Sequence, residues 1–114
     1  MLKVYFKPTC STCRNALALI KENTDEDFEL IEYLVDTPSQ KQIKEILKML
    51  GLKAIDLVRK KESLYKTKFE GKVFTNAEWI KILADNPILI ERPIVVKDGK
   101  AIIGRPIERI LELI

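Results

Sequence analysis

The 114-residue sequence contains no histidine. That absence excludes catalytic Ser-His and Cys-His pairs, and it excludes zinc sites that depend on histidine ligands. The two cysteines cannot close a four-cysteine zinc site within one chain. Any chemistry must therefore use thiols, carboxylates, lysines or arginines, and we expect neither a bound metal nor a bound cofactor.

The sequence also lacks long apolar runs, a secretory signal and a strong charge imbalance. Its hydrophobic content of 46% and charged content of 32% are typical of a globular protein in water. The net charge of +3 is too small to indicate a nucleic-acid partner. No stretch approaches the ~20 apolar residues of a membrane span. These features predict a cytoplasmic protein without membrane contact, and the length predicts one domain over residues 1–114.

The first third of the chain has the pattern of a strand–helix–strand unit. Residues 2–6 include the β-prone side chains expected of a short strand. A helix is predicted from about Ser11, and residues 28–33 form a second predicted strand. The loop between the first strand and the helix therefore leads to a helix N-terminus, where backbone N–H groups lack partners within the helix.

The middle of the chain, from about residue 37 to about residue 86, is predicted to be a helical insertion. Two pairs of residues have the spacing of a capping box and mark helix starts: Ser39 with Gln42, and Thr75 with Glu78. Gly51 offers a stop for the first of these helices, and Asn86-Pro87 stops the last. A further helix is predicted over residues 55–61.

The end of the chain returns to strands. Residues 94–97 and 100–103 flank Asp98-Gly99, a pair that suits the two-residue type I′ turn of a β-hairpin. A final helix is predicted after Pro106, with Ile107, Ile110, Leu111 and Ile114 on its apolar face. The element order predicts an α/β fold.

The two cysteines form the motif Cys10-Ser11-Thr12-Cys13 at the predicted helix N-terminus. The helix dipole and free amides there stabilise a thiolate, and the charge of Arg14 one turn further on would add to this effect. Lowering the pKa of Cys10 by about two units from about 8.5 would raise its thiolate fraction at pH 7 from about 3% to about three-quarters. Cys13 lies about one turn away and could resolve a bond formed at Cys10. We interpret the motif as a redox or nucleophilic site.

Arginine is scarcer than lysine, five residues against fifteen, and suits positions that need a planar fork of donors. Arg92 precedes Pro93, which in a thioredoxin-like fold would be cis. Pro93 would then face the loop Pro8-Thr9-Cys10, which we call the thiol loop. Arg105 follows the hairpin, and Arg59 lies in the helical insertion. The three could converge on Cys10 as an oxyanion pocket, or each could be a surface arginine with a packed stem.

Several segments extend this pattern over nearly the whole chain. They are Phe6-Lys7-Pro8-Thr9-Cys10-Ser11-Thr12-Cys13-Arg14-Asn15, Tyr33-Leu34, Thr37-Pro38-Ser39, Leu57-Val58-Arg59-Lys60-Lys61, Asn86-Pro87-Ile88-Leu89-Ile90-Glu91-Arg92-Pro93-Ile94-Val95-Val96 and Gly104-Arg105-Pro106. In these segments the sequence resembles the glutaredoxin-linked arsenate reductases of the thioredoxin superfamily. The resemblance implies a thioredoxin-like fold with a four-stranded mixed sheet, flanking helices and a helical insertion.

The resemblance also implies a reaction. Cys10 would be the nucleophile that attacks arsenate, and Arg59, Arg92 and Arg105 would bind the oxyanion. Glutathione, glutaredoxin or thioredoxin would act as the external reductant. Phosphate or sulfate would bind as unreactive mimics, and the family implies a monomer.

Two positions depart from the best-known members of the family. Those proteins have histidine at the position of Phe6 and serine at the position of Cys13. Cys13 would allow a Cys10–Cys13 disulfide, which also resembles the redox switch of the Spx-type transcriptional regulators that bind RNA polymerase. The sequence therefore leaves three hypotheses: an arsenate reductase, which we favour, a Spx-type regulator, and a general thiol reductase without arsenate activity.

Overall fold

The computed structural model describes residues 2–114. The helices and strands, in chain order, are β1 Leu2–Phe6, α1 Ser11–Asn23, β2 Phe28–Glu32, α2 Gln40–Leu50, a 3₁₀ turn Ala54–Leu57, α3 Ser63–Lys68, α4 Asn76–Asp85, a 3₁₀ turn Pro87–Leu89, β3 Ile94–Lys97, β4 Lys100–Ile103 and a 3₁₀ helix Ile107–Glu112. None of the helices within the described residues is long and apolar enough to cross a membrane.

The chain divides into two compact units. The first comprises residues 2–36 and 92–114, and the second comprises residues 37–91. The second unit coincides closely with the predicted helical insertion of about 37–86. The organisation of the whole chain as one domain stays a prediction.

The first unit contains a four-stranded mixed sheet in the order β2-β1-β3-β4. Strands β1 and β2 are parallel, with Phe6 opposite Glu32, whereas β3 is antiparallel to both β1 and β4. At the hairpin turn both Asp98 and Gly99 have positive φ, as a type I′ turn requires. The predicted mixed sheet and its hairpin are confirmed.

One core holds the elements of the first unit together. It consists of fully buried apolar side chains from β1, β3, α1 and the last 3₁₀ helix: Leu2, Val4, Ala16, Ile20, Val95 and Ile110. Because α1 begins immediately after the thiol loop, this packing fixes the position of the helix N-terminus on which the cysteines lie.

In the second unit, both predicted capping boxes are present. The Ser39 hydroxyl accepts from the Gln42 amide at 3.2 Å, and the Gln42 side chain accepts from the Ser39 amide at 2.9 Å. Thr75 and Glu78 form the same reciprocal pair at the start of α4. Helix α2 ends at Leu50 and is capped by Gly51, whose φ of 69° places it in the left-handed region that glycine adopts without strain.

The helix predicted over residues 55–61 is wrong. A 3₁₀ turn ends at Leu57, and Val58 then forms an antiparallel bridge with Ile90. The Arg59 amide donates to the Leu89 carbonyl, and the Glu91 amide donates to the Leu57 carbonyl. These long-range bonds use backbone groups that a continuous helix would need for itself. A separate helix, α3, begins only at Ser63.

The predicted final helix is a six-residue 3₁₀ helix. Its i→i+3 bonds run from the Arg109 amide to the Pro106 carbonyl and from the Leu113 amide to the Ile110 carbonyl. A 3₁₀ helix has three residues per turn, so side chains three apart lie on one side: Ile107, Ile110 and Leu113 all pack against the core. The prediction that Leu111 lies on the apolar face is wrong, since Leu111 is 43% exposed.

Candidate active site

The thiol loop connects β1 to α1 and ends at Cys10, which caps the helix. The Cys10 amide donates to the Lys7 carbonyl, and the Cys10 carbonyl accepts from the Arg14 amide in the first turn of α1. Both cysteines are free thiols: Cys10 is partly exposed, and Cys13 is completely buried. The half-open position suits a nucleophile that must meet a substrate.

The environment of Cys10 favours its thiolate. Partial burial alone would raise the pKa of Cys10. Hydrogen bonding from the backbone amide and the thiol of Cys13 and from Arg92, together with the charge of Arg105, outweighs this and lowers the pKa to about 6. At pH 7 a thiol with a pKa of about 6 is about 90% thiolate, against about 3% for an ordinary cysteine.

Cys13 has the opposite character. Burial raises its pKa to about 11, and the hydrogen bond that it donates to the Cys10 sulfur, together with the negative charge there, acts in the same direction, while the Lys7 backbone and the charge of Arg92 only partly offset these effects. Cys13 therefore stays protonated near neutral pH. It stabilises the Cys10 thiolate as a donor and is adjacent to it for disulfide formation.

Arg92 lies beside the thiol and is buried, with only 4% of its surface exposed. The Arg92-Pro93 bond is cis, as predicted. Arg92 Nη1 donates to the Tyr33 hydroxyl at 3.3 Å, and the guanidinium also hydrogen-bonds the Cys10 sulfur. Burial alone would lower the pKa of Arg92, but Tyr33 and Cys10 raise it above its usual value. The side chain therefore remains a cation in the site.

Arg105 approaches the same sulfur from the segment after β4. Its Nη2 is 3.6 Å from Cys10 Sγ, its Nε donates to the Arg92 carbonyl at 2.6 Å, and its Nη1 lies 3.4 Å from the Thr12 hydroxyl. No carboxylate within the described chain lies within ion-pair distance of Arg105. Its charge is therefore available to an anion at the thiol.

Gly104 allows this approach. A Cβ at this position would lie 2.9 Å from Ile110 Cδ1 and 3.0 Å from Pro93 Cγ. The Gly104 amide donates to the Pro93 carbonyl at 2.9 Å. The residue before Arg105 is therefore hydrogen-bonded directly to the residue after Arg92. A larger residue at this position would force Ile110 or Pro93 to shift.

Two other predicted arginines have different surroundings. Arg59 belongs to the second unit, where its Nε lies 3.1 Å from the Glu62 carboxylate. Its role in oxyanion binding stays a prediction. Arg14 is exposed, and its Nη1 lies 3.4 Å from the Pro8 carbonyl, whereas the lowered pKa of Cys10 arises from Cys13, Arg92 and Arg105.

The sequence reasoning missed Tyr33 and Thr12. Tyr33 is fully buried and contacts Arg92, while Thr12 contacts Arg105. A signal for Tyr33 existed: it directly follows the strand parallel to β1, and parallel strands end at the same edge of a sheet. Thr12 lies within the cysteine motif, so its proximity to the thiol could have been inferred from helix geometry.

This site can perform nucleophilic chemistry on an anion. A thiolate at neutral pH supplies the attacking atom, and two guanidinium groups beside it match the planar geometry of an oxyanion. The fold and the thiol together define a thioredoxin-like protein with a reactive cysteine.

The comparisons with known proteins identify the family. The model of the ArsC family matches residues 5–113. The Escherichia coli protein YfgD is 42% identical over 115 residues, covering 99% of this chain and 96% of the relative. An arsenate reductase of Neisseria meningitidis is 38% identical over 111 residues, covering 96% and 94% of the two chains. The solved structure of the arsenate reductase from Vibrio cholerae has a TM-score of 0.92 and 38% identity, with 99% and 97% covered. The chain belongs to the ArsC family, and the predicted family and thioredoxin-like fold are confirmed.

Proposed function

We propose that this protein is a thiol-dependent arsenate reductase that converts arsenate to arsenite through an arsenic–sulfur adduct on Cys10. Relatives that match nearly the whole chain are named arsenate reductases. The observation that carries the proposal is the Cys10 sulfur, whose low pKa coincides with hydrogen bonding from Arg92 and a 3.6 Å contact with Arg105.

In the first step, the Cys10 thiolate attacks arsenic. A sulfur–arsenic bond forms, one arsenate oxygen leaves as water after protonation, and arsenic stays in the pentavalent state. Arg92 and Arg105 offset the negative charge that arsenate brings next to a thiolate, which would otherwise repel it. Arg59 is proposed as a third ligand of the oxyanion. Phosphate and sulfate have the same tetrahedral shape and should bind as unreactive mimics.

In the second step, a second thiol loses its proton and attacks the Cys10 sulfur as a thiolate, the electron pair of the sulfur–arsenic bond moves to arsenic, and the departing arsenite takes up the proton. Arsenic gains two electrons and leaves as arsenite, while the two sulfurs form a disulfide. Over the cycle, arsenate and two thiols give arsenite, one disulfide and one water. An external thiol reductant must then restore Cys10.

Two thiols could take the second position. Glutathione would give a mixed disulfide with Cys10 for a glutaredoxin to reduce, and Cys13 would give a Cys10–Cys13 disulfide for a thioredoxin to reduce. The hydrogen bond between the two cysteines favours Cys13, because the resolving sulfur is already adjacent. Formation of the adduct also removes the negative charge on Cys10, which is one of the causes that raise the pKa of Cys13, and therefore makes Cys13 easier to deprotonate. We therefore propose Cys13 as the resolving residue. A monomeric state and a cytoplasmic location belong to the same proposal.

The test is arsenate-dependent NADPH oxidation by the purified protein, coupled in parallel to thioredoxin with its reductase and to glutathione with glutaredoxin and glutathione reductase. We expect turnover with thioredoxin that is abolished in both Cys10→Ser and Cys13→Ser. Turnover that persists in Cys10→Ser would remove Cys10 as the nucleophile. Cys13→Ser that retains activity with glutathione would assign the external-thiol route instead.

A Spx-type regulator of the same fold is the alternative from another class. It would use the two cysteines as a redox switch and would not require Arg105 for catalysis. Absence of arsenate-dependent turnover with both reductants, together with capture of RNA polymerase by the purified protein, would favour this alternative.

A further inference from the structure

Tyr33 lies at the sheet edge where the thiol loop begins. Phe6 is the last residue of β1 and pairs with Glu32, the last residue of the parallel strand β2. The chain therefore leaves both strands at the same edge. From β1 it enters the loop that ends at Cys10, and from β2 it continues directly into Tyr33.

The Tyr33 hydroxyl is buried, since the residue is only 1% exposed. A buried phenol needs a hydrogen-bond partner, because an unsatisfied hydroxyl in an apolar interior is costly. Here Arg92 Nη1 donates to that oxygen at 3.3 Å. Phenylalanine would fill nearly the same volume without the hydroxyl. Packing alone therefore does not explain why this buried residue carries a hydroxyl group.

Arg92 has to be held in one orientation to act on the thiol. The guanidinium is planar, so fixing one Nη atom fixes the plane in which the remaining donors lie. One donor faces Tyr33, and the guanidinium also reaches the Cys10 sulfur. The Arg92 carbonyl accepts from Arg105 Nε at 2.6 Å, so the position of Arg92 also bears on the second arginine.

We propose that Tyr33 is a positioning residue of this site. Its buried hydroxyl holds the Arg92 guanidinium in the plane from which it can donate hydrogen bonds both to the Cys10 sulfur and to a tetrahedral oxyanion bound beside that sulfur. The inference rests on the proposed function for the identity of the anion. The hydrogen bonding of Arg92 to Tyr33 and to the Cys10 sulfur does not depend on which anion binds.

The test uses Tyr33→Phe, with Tyr65→Phe as the matched control. Tyr65 belongs to the second unit and stacks on Trp79. Two quantities are measured without turnover: the pH midpoint of Cys10 alkylation by iodoacetamide, followed by mass spectrometry, and the dissociation constant of inorganic sulfate, measured by calorimetry. We expect Tyr33→Phe to raise the midpoint by about half a pH unit and to weaken sulfate binding about threefold to tenfold, as for loss of one ordinary hydrogen bond. Tyr65→Phe should change neither.

A second comparison separates positioning from a general structural effect. In an Arg92→Ala background, Tyr33→Phe should leave the alkylation midpoint unchanged, because the proposed effect of the hydroxyl on the thiol passes through the missing guanidinium. An equal rise of the midpoint in both backgrounds would overturn the proposal, as would an unchanged midpoint in the single variant. Because the alkylation readout needs neither arsenate nor a reductant, it stays decisive even if the protein proves not to reduce arsenate.

Discussion

Removing Arg105 tests the electrostatic account of the thiol most sharply. Arg105→Ala deletes the cation whose Nη2 is 3.6 Å from Cys10 Sγ. It leaves Cys13 and its hydrogen bond in place. The matched control is Arg109→Ala, since Arg109 is an exposed arginine only four residues further along the chain. A change confined to the Arg105 variant would thus reflect position and not net charge.

The magnitude follows from the distance. A unit charge at 3.6 Å from the sulfur stabilises the thiolate by about 1.2 kcal/mol in a water-like medium, and by about four times more at an effective dielectric constant of 20. Arg105 is only partly buried, so we use the lower figure, which corresponds to slightly less than one pKa unit. The pKa of Cys10 should then rise from about 6 to about 7. At pH 6 the thiolate fraction would fall from about one-half to about one-tenth.

The assay is the pH dependence of iodoacetamide alkylation. Alkylation should occur at Cys10, because Cys13 is buried and its pKa of about 11 keeps it protonated. The midpoint is the quantity to compare, since a thiolate of higher pKa is intrinsically more reactive and would partly hide the effect in a single rate. The wild-type rate should rise with pH and level off above about pH 7. A midpoint near pH 6 in Arg105→Ala, or an equal rise in Arg109→Ala, would show that the position of Arg105 beside the sulfur does not stabilise the thiolate.

Other variants test the remaining contacts. Cys13→Ala removes the donated hydrogen bond and should raise the alkylation midpoint of Cys10, whereas Cys13→Ser keeps a hydroxyl donor and should stay closer to wild type. Gly104→Ala should lower the free energy of unfolding by about 1–3 kcal/mol in urea, because the new Cβ overpacks the site. Adding Ile110→Val, which deletes the closest contacting atom, should recover part of that loss, and no recovery would mean that the clash is not the cause. Ser39→Ala should cost about 1 kcal/mol of unfolding free energy through the lost cap of α2, and an unchanged urea midpoint would refute this.

Features specified by neighbouring residues could be predicted from the sequence. The capping boxes at Ser39 and Thr75 and the Asp98-Gly99 turn each depend on residues within four positions of one another. The helix start at Ser11 follows from the same kind of local pattern. These signals were sufficient for the strand–helix–strand start of the chain, two of the inserted helices and the closing hairpin, whereas the four-stranded mixed sheet was implied by the family resemblance.

Features that depend on distant partners could not be predicted in this way. Residues 55–61 have helical spacing, yet Val58 pairs with Ile90, thirty-two positions away, and that bridge ends the turn. The last helix is a 3₁₀ helix, and its apolar side chains three apart pack against the sheet core. The bridge between Val58 and Ile90 has no signal in the local sequence, and side chains three apart are neighbours on an α-helix as well as on a 3₁₀ helix.

The site, like the fold, combines a feature set by neighbouring residues with contacts that depend on distant partners. The motif of Cys10 and Cys13 is local and marks the thiol. The approach of Arg92 and Arg105 to that thiol was only one of two open interpretations, because it depends on the hairpin and on the close packing at Gly104. The place of Tyr33 at the end of the second strand was a signal, but its contact with Arg92 joins distant segments, which the sequence pattern does not specify.

The most direct test of the central claim is measurement of the arsenic product itself. Reduced protein would be incubated with arsenate and thioredoxin with its reductase and NADPH, and arsenate and arsenite would be separated by chromatography and quantified by mass spectrometry. We expect many equivalents of arsenite per chain from wild-type protein and none above the protein-free background from Cys10→Ser. Arsenite formed equally by both proteins, or by neither in this system and a parallel glutathione–glutaredoxin reaction, would contradict the central claim.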